Sequence, residues 1–103
     1  MADTPIARTK IRIWQQNMNK SRAAALAQLN TPLHKDWDIL CIQEQYMNTL
    51  NNILSNSHWR PVFPDRWNAN RRPSRTVILV NANIDTNAWR PIIVPDSHDI
   101  TAI

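Results

Sequence analysis

The sequence of 103 residues contains no glycine, and Cys41 is its single cysteine. Glycine normally fills the turns and helix ends that need a positive φ angle, so other residues have to take those positions here. Asparagine tolerates the left-handed region better than most residues, and the chain is rich in it. We therefore predict that asparagine replaces glycine in turns. A lone cysteine excludes a disulfide framework and a cysteine metal site within one chain, and it favours a reducing, intracellular compartment.

Long apolar runs are also missing. No run approaches the roughly 20 residues that are needed to span a bilayer. The amino terminus, MADTPIARTK, lacks the apolar core of a secretory signal. Apolar residues make up 43% and charged residues 19% of the chain, which is typical of a globular protein. The length suits one small domain, and no membrane partner is expected.

Acidic residues are scarce, and Glu44 is the only glutamate. The net charge of +4 favours anionic partners, nucleic acid first. The polar segment 64–75 combines arginines with a tryptophan, a mixture that suits phosphates and exposed bases, although such segments are often simply solvated loops. The candidate nucleic-acid contacts in this segment are Arg66, Trp67, Arg71, Arg72 and Arg75.

The apolar pattern predicts a β-strand, a helix and a second β-strand after a loose leader at residues 1–9. Residues 10–17 alternate as a strand does. Ser21 is placed to cap a helix that stops near Pro32. Residues 39–42 are apolar on both faces, as in a central parallel strand. The apolar face of the helix is predicted to consist of Leu26, Leu29 and Leu33.

Further elements are predicted downstream of this βαβ unit. Residues 46–54 have a weak helical pattern, and residues 59–63 form a strand that Pro61 places at a sheet edge. Residues 76–80 form a buried strand that is closed by a turn at 81–83. Residues 88–94 and 99–103 are additional strand candidates. The chain stops on an apolar residue of the last candidate, so we expect it to be truncated.

Two polar residues end the two parallel strands of the predicted unit. Asn17 ends the first strand and Glu44 follows the second. Neighbouring strands lie about 4.8 Å apart, and parallel strands end at the same sheet edge, where open α/β sheets bind ligands. Amide and carboxylate oxygens suit Mg²⁺. The alternative without a functional site is that Asn17 forms a turn and Glu44 starts a solvated helix.

The stretches IRIWQQNMNKS and DILCIQEQYM, separated by one helix, resemble the opening motifs of the endonuclease/exonuclease/phosphatase superfamily, which includes deoxyribonuclease-I-like enzymes. The similarity is greatest to the endonuclease domains of non-LTR retrotransposons. WRPVFP, TVILVN and SHDITAI agree with the same family in order. The resemblance covers residues 10–103 and implies an α/β fold, the first half of a four-layer α/β/β/α sandwich with a mixed sheet.

The resemblance implies that Glu44 binds Mg²⁺, or Mn²⁺, and that Asn17 positions the scissile phosphate or a metal-bound water. Tyr46 follows the metal-binding glutamate and is either a phosphate contact or an aromatic packed at the sheet edge. The family's later catalytic motifs lie beyond residue 103, so we expect residues 10–103 to be a partial domain that is inactive as it stands. His34, His58 and His98 do not match the family's catalytic histidine and are interpreted as surface or turn residues.

The resemblance also implies DNA as the partner and the nucleus as the location. Half of a sandwich leaves one sheet face uncovered, so we expect this face to bind the missing carboxyl-terminal half or a second copy. Two alternatives stay open. The same superfamily contains phosphatases that act on inositol phosphates or phospholipids, and the chain could be a non-catalytic remnant that binds nucleic acid through its arginines.

Overall fold

The computed structural model describes four stretches of the chain, residues 10–47, 56–64, 76–95 and 100–103. The predicted leader and most of the predicted helix at 46–54 lie outside the described residues. His98 also lies outside them, as do all the candidate nucleic-acid contacts of the basic segment: Arg66, Trp67, Arg71, Arg72 and Arg75.

The first elements form the predicted βαβ unit. Strand β1 spans Ile13–Asn17, helix α1 spans Arg22–Asn30 and strand β2 spans Ile39–Gln43. The two strands pair in parallel over their full lengths. The predicted cap is confirmed, because the Ser21 hydroxyl accepts a hydrogen bond from the backbone N–H of Ala24 at 3.1 Å.

The predicted packing face of α1 is wrong. The buried helix positions are Ala25 and Gln28, whereas Leu26 and Leu29 are half-buried. Each buried position precedes the predicted one by one residue, which turns the face by about 100° around the helix axis. The small side chain of Ala25 permits close approach to the sheet, and Gln28 Nε2 donates a hydrogen bond to Gln16 Oε1 of β1 at 3.4 Å.

The helix ends before the third predicted leucine. Thr31 follows the last helical residue, and its N–H donates to the Ala27 carbonyl at 3.0 Å. Leu33 belongs to a separate short 3-10 helix, Leu33–Lys35, and is buried there. The stop near Pro32 is therefore confirmed, but it removes Leu33 from the face of α1, because a helix periodicity cannot continue through the break.

Two more strands complete a four-stranded mixed sheet. Strand β3 spans Trp59–Val62 and strand β4 spans Thr76–Asn81. The strand order is β1-β2-β4-β3, with β4 antiparallel to both of its neighbours. β3 is an edge strand, as Pro61 predicted, because proline has no N–H to donate to a second neighbour. The fold class is α/β, with a mixed sheet and few helices.

The sheet buries side chains on both faces. On the helix side, the buried cluster is centred on Leu40, Ile42, Val77 and Leu79. On the other side, Val62, Ile78 and Val80 are buried and are packed by partly buried residues from the end of the chain. These covering residues are Ile84, Trp89 and Ile103.

The two strands predicted near the end of the chain are wrong. Residues Thr86–Ala88 form a 3-10 helix, and within the described stretches the segments 88–94 and 100–103 meet at one isolated antiparallel bridge, Ile92 with Ala102. Pro91 lies within the first segment and Pro95 directly follows it, and neither can donate a ladder hydrogen bond. The alternation of apolar residues therefore did not produce a paired strand in this segment.

Part of the second sheet face is uncovered in the structure. Ile13 of β1 is 56% exposed, and Ile11 just before β1 is 68% exposed. Outside the strands of the sheet, Ile92, Ile93 and Ile100 are also more than half exposed. Binding of another chain to this face remains a prediction. Where the structure describes the chain, neither α1 nor a 3-10 helix has the length and apolar character to cross a membrane.

Candidate functional site

Asn17 and Glu44 lie at the same edge of the sheet. Asn17 is the last residue of β1 and stands opposite Gln43, the last residue of β2. Glu44 is the next residue along the chain. The parallel ladder continues one step further, because the N–H of Met18 donates to the Gln43 carbonyl at 2.9 Å. The predicted juxtaposition of the two strand ends is therefore present in the fold.

Asn17 has a local role in the turn that follows β1. Its Oδ1 accepts a hydrogen bond from the backbone N–H of Asn19 at 2.9 Å, an arrangement that stabilises turns. The Asn17 side chain is exposed, and its Nδ2 donates to no residue that the structure describes. The turn-forming alternative is thus correct, and it leaves the amide N–H groups available for a phosphate oxygen.

The backbone changes direction at Glu44, the residue that follows β2. Its φ angle is 48°, in the left-handed region that glycine and asparagine usually occupy. Its carbonyl accepts a hydrogen bond from the backbone N–H of Lys20 at 2.7 Å, so the turn after β1 is tied to the turn after β2. Glu44 as a whole residue is half-buried, and its carboxylate has no ion pair with a described residue.

The candidate metal ligands at this edge are the Glu44 carboxylate and the Asn17 amide. The described residues contain no group of three His, Cys, Asp or Glu side chains that could hold a metal ion. Oxygen donors fit Mg²⁺ or Mn²⁺ and do not fit a structural zinc site, which takes nitrogen and sulfur ligands. Mg²⁺ commonly binds through one or two carboxylates and retains several waters. A hydrated Mg²⁺ or Mn²⁺ site at Glu44 and Asn17 remains a prediction.

Gln45, the residue after Glu44, is tied to β4 by a hydrogen bond that the sequence did not reveal. It is only 4% exposed, and its Nε2 donates to the Thr76 carbonyl of β4 at 3.3 Å. This bond fixes the chain just after Glu44. Its buried Oε1 has no hydrogen-bond partner among the described residues, and Gln45 and Gln28 both line a cavity of about 10 Å³. A cavity of this size is close to the smallest that holds one water.

Tyr46 is half-buried and packs against the helix-side cluster around Leu40 and Ile42. It also lines the small cavity beside Gln45. This environment supports the packing interpretation of Tyr46. Its role as a phosphate contact remains a prediction.

Two histidines stack at the other end of the strands, where β4 ends. The rings of His34 and His58 are stacked with centroids 3.7 Å apart and planes 3° from parallel. Both backbones are held by the end of β4, since the His34 carbonyl accepts from Asn81 Nδ2 at 2.8 Å and the His58 carbonyl accepts from the N–H of Ala82 at 2.8 Å. The pair is separate from Asn17 and Glu44. The sequence could not reveal the stack, because no periodicity links the two positions.

Cys41 lies in the middle of β2 on the face opposite α1 and is half-buried. Burial raises the pKa of the Cys41 thiol above its ordinary value, because the thiolate loses solvation. A raised pKa leaves less thiolate at neutral pH, and the thiolate is the nucleophile and metal ligand. Cys41 therefore belongs to the packing of the sheet and not to the candidate site.

Comparison of the chain with protein-family models, curated proteins and solved structures gives no match. The resemblance seen in the motifs stays a prediction.

Proposed function

We propose that this chain forms the metal-binding part of a magnesium-dependent phosphodiesterase, a DNA endonuclease of the retrotransposon type. One observation carries the proposal. Asn17 lies at the carboxyl end of β1. Glu44, the only glutamate of the chain, directly follows the carboxyl end of the adjacent parallel strand β2. Open α/β sheets bind their ligands at this position.

The residues have separate tasks under this proposal. Glu44 would hold Mg²⁺, and Asn17 Nδ2 would donate to a non-bridging phosphate oxygen. When bound, the metal supplies Lewis-acid stabilisation of the charge that develops on the phosphate. Gln45 and the N–H of Lys20 position the Glu44 backbone through hydrogen bonds to β4 and from the β1 turn. Such supporting bonds matter because a displaced ligand weakens metal binding.

Two further features support a nucleic-acid enzyme. The chain carries a net charge of +4, which favours a polyanionic substrate. Ile13 is exposed on the sheet face opposite α1, which leaves a surface on which a second sheet of a four-layer sandwich could pack. A DNA-cleaving role of this kind would place the protein in the nucleus.

Metal binding tests the proposal directly. Addition of Mn²⁺ should broaden the backbone amide NMR signals of Asn17, Met18 and Gln43–Gln45, because a paramagnetic ion relaxes nearby nuclei. Glu44→Gln removes the charge with little change in shape, and we expect it to weaken Mn²⁺ binding by at least about tenfold, in line with the loss of a ligand-shell group.

Asp85→Asn is the matched control for Glu44→Gln. It also removes one carboxylate, but Asp85 follows β4, whose carboxyl end lies at the opposite edge of the sheet. Asparagine retains the oxygen that accepts the N–H of Asn87 at 2.8 Å. Mn²⁺ broadening should persist in this variant. Broadening at the β1–β2 edge that is equal in the wild type and in Glu44→Gln would refute the proposed site.

Catalysis by the 103-residue chain is a separate prediction. We expect no nicking of supercoiled plasmid with Mg²⁺, because hydrolysis requires a positioned nucleophile as well as a metal. Among the described residues, Glu44 belongs to no group of three His, Cys, Asp or Glu side chains that could hold a metal ion. Nicking that disappears in Glu44→Gln and persists in Asp85→Asn would contradict this expectation while supporting the site.

A further inference from the structure

The backbone at the proposed site has an unusual conformation. Among the described residues, positive φ angles occur at Asn19 (49°), Lys20 (57°) and Glu44 (48°). All three lie at the edge where β1 and β2 end. Asparagine enters the left-handed region readily, whereas lysine and glutamate do so at a steric cost, because Cβ approaches the following carbonyl oxygen. Such conformations gather at ligand-binding and catalytic sites.

Lys20 is held in this conformation by hydrogen bonds on both sides. Its own N–H donates to the Glu44 carbonyl at 2.7 Å, and the N–H of Ser21 donates back to the Met18 carbonyl at 2.9 Å. The turn therefore places the Lys20 backbone directly beside Glu44, the only glutamate of the chain.

The Lys20 side chain is exposed and makes no ion pair with a described residue. The first turn of α1, which follows Lys20, contains no acidic residue that could neutralise it. Glycine would fit the φ angle of position 20 without strain. Lysine at this position adds steric strain, and its ammonium group has no ion-pair partner among the described residues.

We propose that Lys20 binds a non-bridging phosphate oxygen of the DNA backbone at the edge formed by Asn17 and Glu44. This inference rests on the proposed function, and it adds a substrate-binding residue to the proposed metal site. An ammonium group acts on a phosphate as a point charge. Lys20 supplies the positive charge that orients the phosphate, and Asn17 supplies the neutral donor.

Lys20→Gly distinguishes the effect of Lys20 on DNA binding from its effect on the stability of the fold. We expect the melting temperature to rise, because glycine removes the steric strain. We also expect the affinity for a DNA duplex of about 12 base pairs, measured by fluorescence anisotropy with Mg²⁺ at about 50 mM salt, to fall several-fold. Loss of one phosphate contact should reduce the slope of log affinity against log salt by about 0.9.

Asn19→Gly is the matched control. It places glycine at the neighbouring left-handed position and leaves the charge of Lys20 in place, so duplex affinity and salt slope should stay at wild-type values. Lys20→Asn is a second variant, since asparagine also tolerates this φ angle. It should lose affinity to the same extent as Lys20→Gly.

Failure of this inference is distinguishable from failure of the proposed function. Lys20 ligates no metal here, so Mn²⁺ broadening at the β1–β2 edge should persist in Lys20→Gly. Persistent broadening with wild-type duplex affinity and salt slope would overturn the role of Lys20 alone. Absence of a Glu44-dependent Mn²⁺ response in the wild-type chain would overturn the proposed function.

Discussion

Replacement of Asn81 by alanine should lower the free energy of unfolding by about 3 kcal/mol, because each buried polar group that loses its partner costs about 1–3 kcal/mol. Asn81 ends β4 and is 4% exposed. Its Nδ2 donates to the His34 carbonyl at 2.8 Å and to the Trp37 carbonyl at 3.0 Å, and its Oδ1 accepts from the N–H of Asn83 at 2.9 Å. Alanine leaves all three backbone groups without this partner.

The measurement for Asn81→Ala is urea unfolding followed by tryptophan fluorescence. Asn83→Ala is the control, because Asn83 is exposed and its side chain has no described hydrogen bond. We expect the control to change stability by less than about 0.5 kcal/mol, the usual range for surface substitutions. Equal destabilisation by both variants would mean that the Asn81 side chain does not join β4 to the segment before β2.

The second large effect concerns the centre of the sheet. Leu40→Ala should destabilise the fold by about 3–4 kcal/mol, within the range for buried leucine truncations. Leu40 is fully buried in β2, between β1 and β4, and belongs to the helix-side cluster. Truncation removes apolar burial and leaves a cavity that packed neighbours on three elements cannot readily fill.

Ile13→Ala is the control for Leu40→Ala and is assessed by the same urea titration. It removes an aliphatic side chain from the neighbouring strand, but Ile13 is 56% exposed on the opposite face. We expect a loss of less than about 1 kcal/mol, because little apolar area leaves water at this position on folding. A loss comparable to that of Leu40→Ala would show that the Ile13 face is buried in solution by another chain.

The outcome at Ile13 bears on the predicted association through the exposed sheet. A large effect that grows with protein concentration would indicate self-association, since stability then depends on binding of a second copy. A small effect at all concentrations would indicate that this face remains open in the isolated chain. Sedimentation of the wild type distinguishes the same two cases independently.

Much of the fold was predictable from local signals. The alternation before Asn17, the cap at Ser21 and the apolar run before Gln43 all identified elements that the structure contains. Pro61 correctly predicted an edge strand, because a missing N–H is a local property of one residue. Local chemistry decides these features, so a single sequence reveals them.

The errors arose where packing or missing donors outweighed the local pattern. Leu26 and Leu29 have the right spacing for a buried face, but Ala25 and Gln28 face the sheet instead. At the end of the chain, apolar alternation predicted strands, but the described residues there pair at one bridge, and Pro91 and Pro95 can donate no ladder hydrogen bond. Apolar periodicity indicates that one face of the helix is buried, whereas the contacts between the helix and the sheet determine which face that is.

The sequence alone determined the βαβ unit and, through it, the common edge of Asn17 and Glu44, because parallel neighbours must end together. Only the tertiary structure decided how that edge is held. The bond between Lys20 and Glu44, the anchor from Gln45 to β4 and the left-handed turns join residues that no spacing in the sequence connects. Such long-range hydrogen bonds exist only after the strands have paired, so the environment of the candidate site depends on the complete packing of the sheet.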